Sequence, residues 1–211
     1  MAENKVSKLL YDKISDVLDN MKKNPESVTD EDRNLLNSLY SKLCKGLGIS
    51  EHSQWRVTWR VEKWLDTARK LAGFGPDEVV FDSQNIVLDV GAEEMLKLIT
   101  GVGGTQYSED NAYIFVGDNA TAEAANQSGV IATTNKASAK MESGYPTVDG
   151  RQMTFRASFG DSEANFQWNE VSVANGIGVG AVAMNRKVAS LGTKTTGTWS
   201  VEVKVSLISA S

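Results

Sequence analysis

Residues 198–207 read TWSVEVKVSL, an unbroken alternation of apolar and polar side chains. Successive side chains of a β-strand point to opposite faces, so a stretch of this kind places its apolar residues on one side. That side carries Trp199, Val201, Val203, Val205 and Leu207. The pattern predicts a strand that is buried on one face and solvated on the other, as in an antiparallel sheet.

Apolar and β-branched runs predict more strands upstream. They lie at residues 85–88, 112–116, 137–141, 153–159, 164–173 and 178–188. The runs at 137–141 and 153–159 bracket Asp149-Gly150, which predicts a hairpin with its tip at this dipeptide or in a longer loop that contains it. Within 164–173 the apolar phase changes near Asn169-Glu170, so we expect either a β-bulge or a strand with apolar surroundings on both faces.

Two segments among these strands predict helix instead. Residues 92–99 have the composition of a short helix, which the glycines at 101, 103 and 104 would close. The alanine-rich residues 121–127 predict one or two helical turns. The strands, their short turns and the short helix together predict an antiparallel β-sandwich-like domain.

The period of the apolar residues changes at Gly73-Phe74-Gly75-Pro76, where we place a linker. Upstream, a spacing of three to four residues predicts a helix over 6–21, stopped by Asn24-Pro25, and a second helix that begins at Thr29 and ends near Gly46. We therefore predict an α+β chain of two domains. A helical module of two or three helices would occupy residues 1–76, and the β-sandwich-like domain would occupy 77–211.

The third helix depends on residues 53–72, which fit two patterns. Trp55, Val57, Trp59 and Val61 alternate as in a strand, whereas the spacing through residue 72 also fits a helical stripe. We favour a helix, because the pattern continues well beyond a typical strand and its second half holds only helix-tolerant residues. The tryptophans, with Arg56 and Arg60 between them, are either core beneath the helical hairpin or a docking face, since Trp and Arg are enriched at interface hot spots.

The chain is poor in the residue types from which most active sites are built. His52 and Cys44 are its single histidine and single cysteine, so they supply neither a zinc site nor an intrachain disulfide. Glu93 and Glu94 are adjacent on the predicted helix and face different directions, which does not suit a pair of catalytic carboxylates. We predict that the protein is not an enzyme and that it uses no cofactor.

Two kinds of loop are considered as binding sites, for phosphate and for calcium, and neither has the expected sequence pattern. The glycines at 101–104 and at 176–180 lack the Gly-Lys-Ser/Thr ending of a phosphate-binding loop, and helix caps and turns explain them better. Acidic turns at 118–119 and 161–163 could offer oxygens to calcium, but the regular twelve-residue spacing of a calcium loop is missing. We interpret both acidic turns as solvated and predict no metal site.

The charge is distributed unevenly. Residues 1–76 carry 13 basic and 11 acidic side chains, and residues 77–211 carry 9 and 16. Neither part has the basic footprint of a dedicated nucleic-acid binder. No segment reaches the roughly 20 continuous apolar residues that span a bilayer, and the first residues lack the apolar core of a signal peptide. We expect neither nucleic acid nor a membrane as a partner.

Five stretches carry a resemblance to a known group of proteins. They are GYPTV at 144–148, FRASFG at 155–160, ANFQWNE at 164–170, MNRKVASLGTK at 184–194 and TWSVEV at 198–203. Over about residues 85–207 the chain resembles virion structural proteins of tailed bacteriophages, of the head-decoration (auxiliary capsid) type or the tail and collar appendage type. The resemblance implies a β module that acts as a structural component of the particle, and none of the five stretches is catalytic.

From the resemblance we expect a capsid decoration protein that binds the assembled head shell and is located in the virion, after synthesis and folding in the host cytoplasm. Its partners would be the major capsid protein or another virion protein, and copies of itself in a homo-oligomer. The candidate partner-binding residues are Trp55, Arg56, Trp59, Arg60, Trp64, Tyr145, Arg186 and Lys187. The last two, with Lys194, would form a basic spot on an acidic domain.

The alternative function is a tail, collar or fibre appendage protein, or adhesin, that binds a host-surface receptor. Its contact sites would be the loops around Tyr145, Asp161 and Asn175, because binding residues favour loops on a rigid scaffold.

Overall fold

The computed structural model describes residues 53–82 and 86–209. The helices predicted over 6–21 and from Thr29 lie outside this part of the chain. Within it, Trp55–Ile208 form one compact unit. The elements are β1 (Ser53–Trp64), α1 (Thr67–Leu71), β2 (Glu78–Asp82), β3 (Ile86–Val87), α2 (Asp89–Thr100), β4 (Tyr113–Gly117), β5 (Lys136–Lys140), β6 (Thr147–Asp149), β7 (Gln152–Phe159), β8 (Gln167–Ala174), β9 (Asn185–Thr193) and β10 (Thr198–Ser209).

The strands form two five-stranded sheets that share one apolar core. The first sheet has the order β2-β1-β10-β7-β6, and the second has the order β3-β9-β8-β4-β5. Strand pairs in both sheets are antiparallel, among them β7 with β10 and β4 with β8. Most buried apolar side chains of the two sheets belong to a single cluster, so the two inner faces pack on each other. This is the β-sandwich-like architecture that the alternating pattern predicts.

Strand β10 is the element that the sequence predicts best. Val201, Val203 and Val205 are completely buried, and β10 pairs residue by residue with β7 from Trp199 opposite Phe159 to Ser206 opposite Gln152. The ring of Trp199 lies edge-on to that of Trp168 in the other sheet, with 4.9 Å between the ring centroids. This contact between large aromatic side chains joins the two sheets at the centre of the core.

The helix predicted over 53–72 is wrong for its first half. Residues Ser53–Trp64 form β1, and α1 follows after a break at Asp66, whose side chain caps the helix by accepting a hydrogen bond from the Ala68 amide (2.8 Å). A long strand followed at once by a short helix gives a continuous apolar pattern that resembles one long helix. Gly73–Pro76, predicted as a linker, connects α1 to β2 inside the compact unit.

The predicted pairing of 137–141 with 153–159 is also wrong. Strand β5 pairs with β4 in the second sheet, whereas β7 pairs with β6 and β10 in the first. The turn lies where the sequence places it, since β6 ends at Asp149 and β7 begins at Gln152. The chain therefore crosses between sheets after β5, and the Glu142 amide donates a hydrogen bond to the Arg156 carbonyl (2.8 Å) at the crossing.

The register between β8 and β9 shifts between Trp168 and Glu170, where the sequence predicts a β-bulge. Trp168 pairs with Gly192 and Glu170 with Val188, so the extra residues of this irregularity lie on β9. Every residue from Glu170 to Ala174 is buried, so this part of β8 is covered on both faces, as the alternative expects. The strand predicted over 178–188 begins later than expected, because β9 starts at Asn185. Residues 176–182 form a loop instead, closed at its base by hydrogen bonds between Asn175 and Val182.

Helix α2 confirms the helix predicted over 92–99, and Gly101 ends it in the left-handed conformation. The helical turns predicted over 121–127 are wrong, since this segment is irregular. The side chain of Gln127 binds the backbone of its own segment here: it accepts from the Ala124 amide (2.9 Å) and donates to the Ala122 carbonyl (3.1 Å). These bonds satisfy backbone groups that a helix would otherwise pair.

Candidate partner-binding surfaces

Strand alternation separates the predicted docking residues of β1. Trp59 is 3% exposed and packs in the core between the sheets, whereas Trp55, at the start of the strand, keeps 38% of its surface exposed. Arg56 and Arg60 are exposed, and Arg60 forms an ion pair with Glu62 at 2.8 Å. The three tryptophans therefore do not form a single docking face.

Trp64 is covered by α1 and the loop that follows it. Its indole nitrogen donates to the Phe74 carbonyl at 2.8 Å, and the Lys70 ammonium lies 5.1 Å from the centroid of its ring. Lys70 also donates to the hydroxyls of Ser158 (2.6 Å) and Ser200 (2.7 Å). Burial lowers the pKa of Lys70 below its ordinary value, although nearby Glu142 acts in the opposite direction. We interpret this polar cluster as the attachment of α1 to the first sheet.

Arg186 and Lys187 are buried, so they form no basic spot on the surface. Arg186 is completely buried and binds Glu170, also completely buried, with 2.8 Å between Nε and Oε2. Glu170 additionally accepts from the amides of Ile131 (3.1 Å) and Ala132 (2.8 Å). The pair fastens the irregular segment around 121–132 to the second sheet. The side chain of Lys194 is likewise buried and donates to the Gly160 carbonyl at 2.6 Å.

Tyr145 is half-buried and packs against the core cluster. It precedes Pro146 through a cis peptide bond, and its amide donates to the Glu142 carbonyl at 3.0 Å. Of the eight candidate partner-binding residues, Trp55, Arg56 and Arg60 are thus the ones with substantial exposure, and they lie on the same strand.

An outer-face groove of about 450 Å³ lies beside the edge strand β2. Its lining consists of Thr58, Trp59, Arg60, Phe81, Asp82, Glu202 and Lys204. Phe81 stands opposite Arg60 in the β1–β2 pairing and is 77% exposed. Aromatic residues and arginine are enriched at protein interfaces.

A network of charges borders this groove on the face of the first sheet. The Arg156 guanidinium binds Glu62 at 2.7 Å and Glu142 at 3.0 Å, and approaches Glu202 at 3.6 Å. Because these carboxylates come from β1, β10 and the crossing after β5, the guanidinium fixes the positions of these parts relative to β7. The groove is therefore supported by a rigid strand framework.

An apolar groove of about 390 Å³ lies between α2 and the ends of several strands. Its apolar lining consists of Trp55, Met95, Leu98, Ile99, Tyr107, Pro146, Met153, Phe155 and Met184. Tyr107 packs edge-on against Phe155, with 6.5 Å between ring centroids. Its hydroxyl is buried and has no hydrogen-bond partner among the described residues. Burial and the charge of Glu94 raise the pKa of Tyr107.

The acidic turns considered for calcium are occupied by hydrogen bonds to the protein. Asp118 accepts from the Asn135 amide group (2.8 Å), Asp161 from the Gly197 amide (2.8 Å), and Glu163 from the Gly160 amide (2.7 Å). Within residues 53–82 and 86–209, no group of three or more His, Cys, Asp or Glu side chains could hold a metal ion. No helix in the same ranges is long and apolar enough to cross a membrane.

Neither groove is predicted from the sequence. The segment EVVFD at 78–82 carries a usable signal, because a run of apolar residues with strand propensity lies between Glu78 and Asp82. The apolar groove has no local signal, since its lining comes from β1, α2, β7 and the loops at 106–108 and 146.

Comparison of the chain with models of known protein families, with characterised proteins and with solved structures gives no match.

Proposed function

We propose that this protein is a non-enzymatic structural protein of a tailed-bacteriophage virion, and that it decorates the head by binding the assembled shell. The resemblance over about residues 85–207 to virion structural proteins supports the assignment to a tailed-bacteriophage particle. The observation that supports the mode of action is the outer-face groove beside β2, where Phe81 is 77% exposed next to Arg60. A large exposed aromatic residue beside an arginine is the composition of an interface hot spot.

The outer-face groove is the contact that we assign to the shell. Among the strands that the structure describes, β2 is at the edge of its sheet, and an edge strand can accept an extended segment of a partner through its main chain. Arg60, Asp82, Glu202 and Lys204 in the lining offer both signs of charge, which favours a polar protein surface over a phosphate backbone. A modest single contact suffices for decoration, because the symmetry of a shell repeats it many times.

Binding of the full chain to purified empty shells tests this proposal. We expect the chain to co-sediment with the shells and to saturate in proportion to the number of capsid subunits. Phe81→Asp should weaken this binding strongly, because it places a charge in the contact. The matched control is Val148→Asp, since Val148 is 74% exposed on β6, at the opposite edge of the same sheet.

Each outcome is informative. Failure of the wild-type chain to bind any shell would contradict decoration. Binding restricted to one vertex, or to isolated tails, would favour the appendage or adhesin alternative, and binding to host-surface receptors would identify the adhesin. Equal binding by the Phe81→Asp and Val148→Asp variants would contradict the assignment of the contact to the outer-face groove.

A further inference from the structure

Lys194, the residue after β9, is buried beside an asparagine and not beside a carboxylate. It is completely buried, and its Nζ donates to the Gly160 carbonyl (2.6 Å) and to Asn165 Oδ1 (2.9 Å). Within the part of the chain that the structure describes, it forms no ion pair. The buried lysines Lys63 and Lys187 both have a carboxylate partner. A buried ammonium without a counterion is costly, so the surroundings of Lys194 disfavour its charged form.

The neutral amine of Lys194 is a nucleophile. Burial lowers the pKa of Lys194 below its ordinary value, although the charges of Asp161 and Glu163 act in the opposite direction. A neutral amine has a hydrogen for each of its two acceptors and keeps a free electron pair. Lysine reacts with carbonyl carbons in this form. The electron pair therefore becomes available next to the side-chain amide of Asn165.

The side chain of Asn165 is held in place by the loop between β7 and β8. Its Nδ2 donates to the Asp161 carbonyl (2.8 Å). Ala164, just before it, has a φ of 53°, a conformation uncommon for a residue with a Cβ and one that accumulates at functional sites. The Lys194 amide donates to the Phe166 carbonyl (3.0 Å), which joins the two backbones. Two groups fixed side by side react far faster than the same groups free in solution.

We propose that Lys194 and Asn165 join in an isopeptide bond within the chain. The Lys194 nitrogen attacks Asn165 Cγ, so that a bond forms between Nζ and Cγ and the bond between Cγ and Nδ2 breaks. The attacking nitrogen gives up one proton, the leaving nitrogen takes up one proton, and ammonia departs. One amide replaces another, so the reaction needs no oxidant, reductant or other co-reactant.

The loop also contains groups that can carry the proton between the two nitrogens. Asp161 and Glu163 precede Asn165 in this loop, and their charges act on Lys194. Glu163 accepts from the amide of Gly160 (2.7 Å), the residue whose carbonyl accepts from Lys194. A carboxylate can take the proton from the attacking nitrogen as a general base and pass it to the leaving nitrogen as a general acid. The reacting amide and the proton carriers thus belong to one short segment.

The isopeptide bond closes a covalent loop that contains β8 and β9. It ties residue 165, which precedes β8, to residue 194, which follows β9. A cross-link of this kind restricts the unfolded chain and so opposes unfolding. The inference goes beyond the proposed function and does not depend on it, because the bond forms within an isolated chain.

Intact mass spectrometry of the purified full chain gives the first test. Because the bond releases one molecule of ammonia, we expect a mass about 17 Da below that of the same chain without the bond. Lys194→Arg and Asn165→Ser should each remove this deficit, after allowance for the substitution. The matched control is Lys63→Arg, at a buried lysine that has an ion pair, and it should retain the deficit.

Peptide mapping of the wild-type chain gives the second test. Trypsin cuts after lysine and arginine, but it does not cut after a lysine whose amine is acylated. The linked chain should therefore give one branched product that joins residues 157–186 to residues 188–204. Without the bond, the second of these peptides is cut after Lys194.

Three results would overturn the proposal. The first is a wild-type chain at its full mass, and the second is complete cleavage after Lys194. The third is a deficit that persists in Lys194→Arg, as ring closure at Asn175-Gly176 with loss of ammonia would produce. Since the peptide map uses the wild-type chain, it decides the question even where a substitution at Lys194 impairs folding.

Discussion

At the scale of single residues, the buried pair of Glu170 and Arg186 shows what the sequence conceals. A charged residue is most often exposed, so Arg186 and Lys187 predict a basic surface spot. The burial of Arg186 depends on Glu170, which lies sixteen positions earlier in the chain. It also depends on the Thr121 carbonyl and the Gln127 side chain, which both accept hydrogen bonds from Arg186. No local pattern contains these partners, which meet only after the sheet and the irregular segment have formed.

Loss of one partner of this pair should destabilise the fold strongly. Arg186→Met leaves the Glu170 carboxylate buried without its counterion, which we expect to lower the free energy of unfolding by about 3–5 kcal/mol. The double variant Glu170→Gln/Arg186→Met should lose less than the sum of the single variants, because it removes both charges. Denaturant unfolding followed by tryptophan fluorescence measures this, since all five tryptophans lie in the compact unit. Glu93→Gln, at the exposed ion pair on α2, is the control and should change little.

Tyr107 gives a second prediction at this scale. Because its hydroxyl is buried without a partner among the described residues, Tyr107→Phe should stabilise the fold at neutral pH by about 1 kcal/mol. The raised pKa in the folded state adds a pH dependence: above the ordinary value of 10.0 the unfolded chain loses this proton and the folded chain keeps it, so stability falls as the pH rises further.

Denaturant unfolding of the wild-type and Tyr107→Phe chains at a series of pH values from neutral to strongly alkaline measures this effect. The difference between the two chains isolates this hydroxyl from all other titrating groups. Tyr113→Phe, at a half-buried tyrosine of β4, is the matched control. A parallel decline of the wild-type and Tyr107→Phe curves above the ordinary tyrosine pKa would contradict the assigned cause.

At the scale of elements, the sequence correctly predicts strands whose apolar residues alternate regularly. It fails where one element directly follows another. The alternation of β10 and the change of phase in β8 are read correctly because each is contained in one strand. Strand β1 and helix α1 are merged into one helix because only Leu65 and Asp66 separate them. The partner of β7 is misassigned because pairing is set by the crossing between sheets, which leaves no periodic signal.

The turn between β9 and β10 supplies a prediction at this scale. Gly197 has a φ of 72°, and a Cβ there would collide with the Trp64 carbonyl oxygen at the end of β1. Gly197→Ala therefore combines an unfavourable backbone conformation with a collision, and we expect a loss of about 3 kcal/mol or more in the free energy of unfolding. The measurement is denaturant unfolding, in which we expect a lower midpoint and an unchanged slope.

Gly150 provides the matched control for this substitution. It also has a positive φ, 55°, but nothing lies within 4 Å of the position that a Cβ would take. Gly150→Ala should therefore cost only the backbone term of about 1–2 kcal/mol. An equal loss in both variants would mean that the contact with Trp64 does not constrain the turn.

At the scale of the whole molecule, the position of β1 decides where the chain can be divided. The change of period at Gly73–Pro76 predicts a linker between two modules, yet β1 lies between β2 and β10 in the first sheet. Val57, Trp59 and Val61 of this strand are almost completely buried in the shared core. The apolar pattern indicates correctly that a helix is followed by a strand at 73–76. A change from helix to strand does not by itself mark a domain boundary.

Two truncations of the chain therefore differ in their expected behaviour. A chain that begins at Pro76 lacks β1, so it exposes the core beneath this strand and leaves β2 without its partner. A chain that begins at Ser53 retains every strand that the structure describes. We expect the second to unfold cooperatively with a dispersed amide spectrum, and the first to be unfolded or aggregated, because losing several buried apolar side chains removes more than the usual stability of a domain. A cooperative transition in the chain that begins at Pro76 would show that β1 is not an integral strand of the sandwich-like unit.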